Sequence, residues 1–429
     1  MEQNKANERA PEETHETGLS FFEQQDVQVS RIPVGKGVPF GITQVANPAL
    51  GIGGAYGTWG DSYDNVNLPD FLSQRMGVPL SEAERLDLAP LGFHHRHHIA
   101  ELSEKEHYEV ELEVGARFLR AAAQACGWQP QEVEAVLLGI SSPVTNDFTE
   151  QVARKAGIPE NAYKVSVHKA CDSSVSALHM ALNPELVENN NQTGHNLAQE
   201  LLGKKILVGG IEGLSRFTSR SRDTIALQLF GNGAGVIGII PGKTIKFLVG
   251  KAQQVFDEKG LLAVRMFYPH SNRDHQRETL VEVTQESERH FRVAGLMHEP
   301  EGDKPIEMAG LMGMVKLFVR SGVDVVRDVY QKYQQFIEEM GMIEKSIKVT
   351  IVHHANYKIN RLKASQLIKD GINLTMPWVL SEFGNVSAAS NMIAFLRQLP
   401  SLNPGDHILF DGFGAGTYYD VFAAAMGEV

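Results

Sequence analysis

Two cysteines in 429 residues leave no material for a disulfide framework. Long apolar runs are missing too: the best, Ala135–Ile140 and Gly233–Ile240, are strand-sized and fall short of a membrane span. Positive charge is in deficit. Forty Lys and Arg stand against 52 Asp and Glu, a net charge of −12, which argues against a nucleic-acid binder. Neutralising phosphates needs clustered cations. Residues 1–20 are polar and acidic, without the cationic start and apolar core of a secretory signal, so a cytoplasmic location is expected. What is present is ordinary for a soluble globular chain, 42% hydrophobic and 21% charged. Its length suits two to three domain-sized units.

Residues 1–35 show no hydrophobic periodicity and are expected to form a polar, flexible extension. Val110, Val114, Phe118 and Ala121 recur three or four apart and predict a helix from Tyr108 to Gly127. Short apolar runs at Ala135–Ile140, Tyr163–Val167, Lys204–Gly209 and Gly233–Ile240 predict buried strands, with helices over Phe148–Ala156 and after Cys171. The second half repeats the grammar. Helices are expected over Val323–Met340, Asn356–Ile368 and Ser387–Leu399, and strands over Ile347–Val352 and Ile408–Phe410. Strand–helix alternation in both halves argues for α/β architecture with layered sheets. A boundary near residue 242 would divide it into 36–242 and 243–429. The charged segments 188–203 and 251–305 read as insertions over that frame.

Three places carry chemistry. Cys171 stands where a strand ends and a helix begins, and free N–H groups there stabilise a thiolate. A thiolate is the form a covalent catalyst needs. The other reading is a small buried hydrophobe, as at Cys126 within its helix. His353 follows the strand Ile347–Val352, at the edge where α/β proteins bind ligands, and an imidazole there can move a proton or donate to an oxyanion. Asn385, in a Gly-Asn turn before a small-residue helix, offers a donor that does not titrate. Near the end, Gly412, Gly414 and Gly416 mark backbone that must approach something closely.

In their order, these stretches resemble the thiolase superfamily of condensing enzymes, in particular β-ketoacyl-acyl-carrier-protein synthase III. The matching motifs are Ala170-Cys171, His353-His354-Ala355-Asn356, Gly384-Asn385-Val386-Ser387-Ala388-Ala389-Ser390 and Phe413-Gly414-Ala415-Gly416, supported by 209–215 and 229–235. The resemblance runs from about residue 40 to the end. It implies a five-layer α/β/α/β/α fold from two duplicated halves, a homodimer, and neither a cofactor nor a metal. It further implies that Cys171 accepts an acyl group as a thioester. His353 and Asn385 would then hold the enolate of a malonyl-type extender in a decarboxylative Claisen condensation, in fatty-acid or polyketide-type metabolism. The backbone N–H groups of Cys171 and Gly416 would form the oxyanion hole. Phe148 would cross the dimer interface to line the acyl pocket. Lys358, Arg361 and Lys363 would form a basic face for an acyl-carrier protein, the alternative donor being a CoA thioester.

The chain also departs from that pattern. The stretch 87–94 offers neither the Trp nor the Arg that clamps an adenine. His354 stands where Gln is usual, Asn232 where Asp is, and Asp172 puts a carboxylate beside the thiol. Facing Cys171, Asp172 would raise the thiol's pKa; facing away, it would be harmless. These departures keep two other readings open: acyl transfer to an O, N or S acceptor without condensation, and a non-catalytic partner or scaffold. The string His94-His95-Arg96-His97-His98 invites a metal reading, but a site needs ligands from more than one element and a shell behind them. Gly51–Gly57 and Gly231–Gly235 lack the full dinucleotide-loop pattern.

Overall fold

The computed structural model describes residues 19–21, 27, 29–99, 102–141, 145, 147–186, 193–219, 228–254, 264–266, 281–295, 306–308, 315–415 and 417–427. The first sheet opens with an antiparallel meander, β1 (Ser30–Val34), β2 (Val38–Asn47) and β3 (Ile52–Trp59), and β1 corrects the expectation that all of 1–35 is a flexible extension. Helix α1 (Leu68–Met76) and a longer helix, α2 (Glu104–Ala125), follow. Ser103 and Glu106 cap the start of α2: each accepts the other's backbone N–H, at 3.3 and 2.9 Å, two donors that a helix start otherwise leaves unpaired. Then come β4 (Ala135–Gly139), α3 (Phe148–Ala156), β5 (Tyr163–His168), α4 (Ser173–Leu182), β6 (Ile206–Glu212) and β7 (Gly233–Ile239). Strands β5, β4 and β6 run parallel, and β7 returns antiparallel between β6 and β3. All residues of β4, β6 and β7 are buried, as unbroken apolar strands covered on both faces must be.

The second sheet holds β8 (Ile245–Gln254), β11 (Ile347–Val352), β12 (His407–Gly414) and β13 (Tyr418–Met426), in the order β8-β13-β12-β11. Between β8 and β11 the chain returns to the first sheet. There β9 (Val281–Ser287) and β10 (His290–Gly295) form a hairpin whose inner strand lies parallel to β5. His195 meets Phe291 edge-on at 4.9 Å, so the segments read as insertions touch each other.

Helices α5 (Gly322–Glu339), α6 (Tyr357–Lys369) and α7 (Ala389–Gln398) complete the layers. On the outer face of the first sheet, Val110, Val114 and Phe118 of α2 pack with Val136, Leu138 and Val236. Removing the Phe118 ring would cost ~3–5 kcal/mol. Between the sheets, α4 and α7 place Val175, Leu178, Ile393 and Phe395 among Leu137, Val165, Ile351 and Phe410. On the far side, Val325, Val326, Val329 and Tyr333 of α5 cover Leu409, Tyr419 and Val421, with α6 alongside. The result is the expected five-layer order of helix, sheet, helix, sheet, helix. Among the described residues, no helix is long and apolar enough to cross a membrane.

Candidate active site

Strand β5 ends at His168, and one tight turn, Ala170–Asp172, leads into α4 with Cys171 at its apex. Ala170 takes φ +51°, a left-handed conformation that strains a residue with a Cβ. Ser173 holds the turn: its hydroxyl accepts the Lys169 N–H at 2.7 Å and donates to the Ala170 carbonyl at 2.6 Å. Gly414 closes over it, since a Cβ there would lie 2.8 Å from the Cys171 nitrogen. The Ser387 hydroxyl donates to the Cys171 sulfur at 3.2 Å. Burial nevertheless pushes the thiol up to about 12, with the Glu212 charge adding to it against the Ser387 bond. The expectation that a helix N-terminus lowers this pKa is corrected: Cys171 is half-buried, and its desolvation outweighs the helix N-terminus.

His353 lies at the end of β11, buried, with Nδ1 2.6 Å from the Ser390 hydroxyl and its ring edge on Phe413. That pairing leaves Nε2 for chemistry. Burial, then the His354 and Lys363 charges, lower its pKa to about 3, so the imidazole is neutral. Asn385 accepts the Ser387 N–H at 2.9 Å through Oδ1 and donates from Nδ2 to the Ala355 carbonyl at 3.4 Å. A continuous chain of contacts therefore runs from Cys171 through Ser387 and Asn385 to the 353–356 turn, and three motifs far apart in sequence form one site.

The departures resolve differently. His354 uses both ring nitrogens for the backbone: Nδ1 lies 2.9 Å from the Val352 carbonyl, and Nε2 accepts the Val379 N–H at 3.0 Å. Asn232 is a brace, accepting the Ser215 N–H and donating to the Trp59 carbonyl. Asp172 is buried, 3.7 Å from Lys169 Nζ, in a cluster completed by Asp420, so its carboxyl engages that cluster.

Of the predicted docking residues, Lys358 and Arg361 are exposed on α6, but Lys363 is not. It is fully buried, its Nζ 2.7 and 2.5 Å from the two oxygens of Asp411. The reason is helical period: five residues from Lys358 turn the side chain about 140° toward the sheet. Phe148 is 3% exposed and packs on Tyr108 at 5.9 Å within its own chain. Gly416 lies outside the described residues. In the His94–His98 string, Arg96, His97 and His98 are buried, and Arg96 donates to Asn65 at 2.9 Å. No group of three metal-binding side chains occurs among the described residues.

Two functional neighbours carry no signal of their own in the sequence. Ser387 touches the sulfur from within a motif read for its asparagine. Glu212 accepts the Ser141 and Ala388 N–H groups at 3.0 and 3.1 Å, tying the end of β6 to the Asn385 loop. Burial pushes its carboxyl up to about 8.

Residues 337–425 match the family profile described as the C-terminal part of 3-oxoacyl-[acyl-carrier-protein (ACP)] synthase III. Over 304 residues the chain is 25% identical to the β-ketoacyl-[acyl-carrier-protein] synthase III of Prochlorococcus marinus (strain MIT 9313), covering 69% of this chain and 77% of that protein. A protein of the same name from Brucella anthropi is 22% identical over 317 residues, covering 72% and 82%. Among solved structures, the 3-oxoacyl-[acyl-carrier-protein] synthase III of Aquifex aeolicus VF5 superposes with a TM-score of 0.55 at 19% identity, covering 85% of this chain and 96% of that one. The Thermus thermophilus synthase III gives 0.56 at 17% identity, covering 90% and 98%.

Proposed function

We infer that this chain, which is β-ketoacyl-synthase-III-like and has the thiolase fold, is an acyl-thioester condensing enzyme with Cys171 as its nucleophile. The observation that carries this is the contact chain from the Cys171 sulfur through Ser387 and Asn385 to the turn bearing His353. In the first step the sulfur attacks a thioester carbonyl; the new C–S bond replaces the donor's, and the thiol's proton leaves with the departing thiolate. The backbone N–H groups of Cys171 and Gly416 would stabilise the oxyanion. In the second step a malonyl-type thioester loses carbon dioxide, and the enolate oxygen is held by the neutral His353 and by Asn385 Nδ2. Its carbon attacks the acyl group on Cys171, forming a carbon–carbon bond and freeing the sulfur. An imidazole already neutral by burial suits the donor role, because it need not lose a charge first.

Acyl transfer without condensation was motivated by His354 and Asp172. His354 is committed to the backbone through both ring nitrogens, and Asp172 lies beside the Lys169–Asp420 pair, which favours condensation. The donor is proposed to be a carrier protein, on the exposed Lys358 and Arg361; fatty-acid or polyketide-type metabolism would supply it. Phe148 is proposed to line the acyl pocket across the dimer interface, as the resemblance implies. The homodimer rests on the resemblance, and light scattering of the purified protein tests it.

Intact mass after incubation with acyl-CoA and acyl-carrier donors tests the nucleophile: an adduct should form, and Cys171→Ala should lose it. Carbon dioxide release from a malonyl thioester should vanish in Asn385→Ala. Turnover without any such release would sink the condensing assignment in favour of transfer.

A further inference from the structure

We propose that Lys169 and Asp420 are positioning residues for Cys171: their buried ion pair fastens the strained nucleophile turn to β13, in the other half of the molecule. This rests on Cys171 being the nucleophile. Lys169 is 2% exposed and Asp420 fully buried. Lys169 Nζ lies 2.6 Å from Asp420 Oδ2 and donates to the Ser176 hydroxyl at 3.0 Å. The second oxygen of Asp420 is 2.7 Å from His179 Nδ1, and the Asn183 amide donates to His179 Nε2 at 3.2 Å. His179 itself packs in a cluster of three rings with Phe422 and Phe247. The pair therefore has a rigid footing on α4 and β13.

The turn needs such a footing. Ala170 is left-handed without being glycine, and a strained residue persists only where its surroundings over-determine it. The Ser173 bonds are internal to the turn and move with it. Lys169, adjoining Ala170, is the turn residue tied across to β13 by charge. Asp172 fits beside the pair because residue 412 is glycine: a Cβ there would lie 2.2 Å from Asp172 Oδ1. Burial, then the Asp420 charge, push the Asp172 carboxyl well above the ordinary carboxylate range. Lys169 and His179 hold Asp420 low against its burial.

Alkylation of Cys171 by iodoacetamide, in a Cys126→Ala background at pH 8, separates positioning from charge balance. The charged and titratable groups around this thiol and its turn are Glu212, Asp172, Lys169, Asp420, Asp411, His179, Tyr418 and Tyr419. If the pair positions the turn, both Lys169→Met and the double variant Lys169→Met/Asp420→Asn release the sulfur toward solvent. Its pKa then falls toward the ordinary thiol value, and the alkylation rate rises about tenfold in both. With any acyl donor that wild type accepts, kcat falls and KM holds. Phe118→Ala, destabilised far from the site, should alkylate at the wild-type rate.

If the pair only balances charge, Lys169→Met leaves an extra anion, alkylation slows, and the double variant returns to wild type. That result overturns the proposal, as does an unchanged rate in both variants. Should Lys169→Met fail to fold, the double variant decides alone, a rise supporting and a wild-type rate refuting. Iodoacetamide needs no acyl donor. A wild type that alkylates but accepts no donor would therefore refute the condensing function and leave this test intact.

Discussion

Two buried lysine–aspartate pairs stand behind the site, one under Cys171 and one under His353, and they are built differently. Lys363 and Asp411 form a closed couple, both oxygens of one carboxylate on one ammonium, under the ring of Phe413. Lys169 and Asp420 form an open one, with His179 on the far oxygen and Asp172 at 3.7 Å. Both aspartates come from the same hairpin: Gly412, next to Asp411 on β12, pairs with Asp420 on β13. That antiparallel pair thus reaches under both the Cys171 turn and the His353 turn. Among the described residues the closed couple has no second partner to take up a charge; the open one has neighbours that do. Removing one member of a buried pair strands the other charge, and the cost depends on what else can satisfy it.

Lys363→Met should therefore be the more damaging change, lowering stability by about 3–5 kcal/mol in urea unfolding, because Asp411 loses its cation. Lys169→Met should cost less, about 2–3 kcal/mol, since His179 still donates to Asp420. Equal losses would show that the open network offers no redundancy. Acid sharpens the contrast from another side. His353 and His354, both on the imidazole side, are lowered by burial to about 3, and His97 and His107 to about 4. Their folded pKa values lie below the unfolded value near 6.5, so the stability they confer is full above that pH and falls as pH drops toward 3. At pH 5 each should cost about 2 kcal/mol at most. Amide exchange should then quicken first in β11 and α6, ahead of α4; equal quickening would erase the distinction between the two sides.

The smallest effect separates buried from exposed cations on one helix. Lys358→Glu with Arg361→Glu should raise KM for a carrier-bound donor about tenfold, or ~1.4 kcal/mol. Stability and turnover of a small thioester mimic should stay near wild type, and the effect should fade with added salt. Equal loss with both donors would place docking elsewhere.

Much of this was legible from local pattern. The strand–helix alternation, the long helix through Val110, Val114 and Phe118, and the placement of Cys171, His353 and Asn385 at element ends all follow from periodicity and short motifs. The ion pairs did not. Lys169 and Asp420 belong to opposite halves, and no spacing rule joins residues that only tertiary packing brings together. Lys363 looked like part of a basic run because three cations in six positions read alike until helical period assigns them to faces. The thiol's pKa misled for a related reason: the helix start is visible in sequence, whereas the desolvation that outweighs it belongs to the finished core.

The hairpin beside β5 has a bearing on how the molecule is made. Its inner strand pairs His290–Ala294 with Lys164–His168, yet β8, which precedes it in the chain, belongs to the other sheet. The halves therefore cannot be completed one after the other as the polypeptide emerges. The first sheet waits with an unpaired edge while the opening strand of the second is already synthesised, and such long-range closures slow folding and leave sticky intermediates. A chain released early, before residue 295, should pass through an aggregation-prone state at the very strand that leads to Cys171.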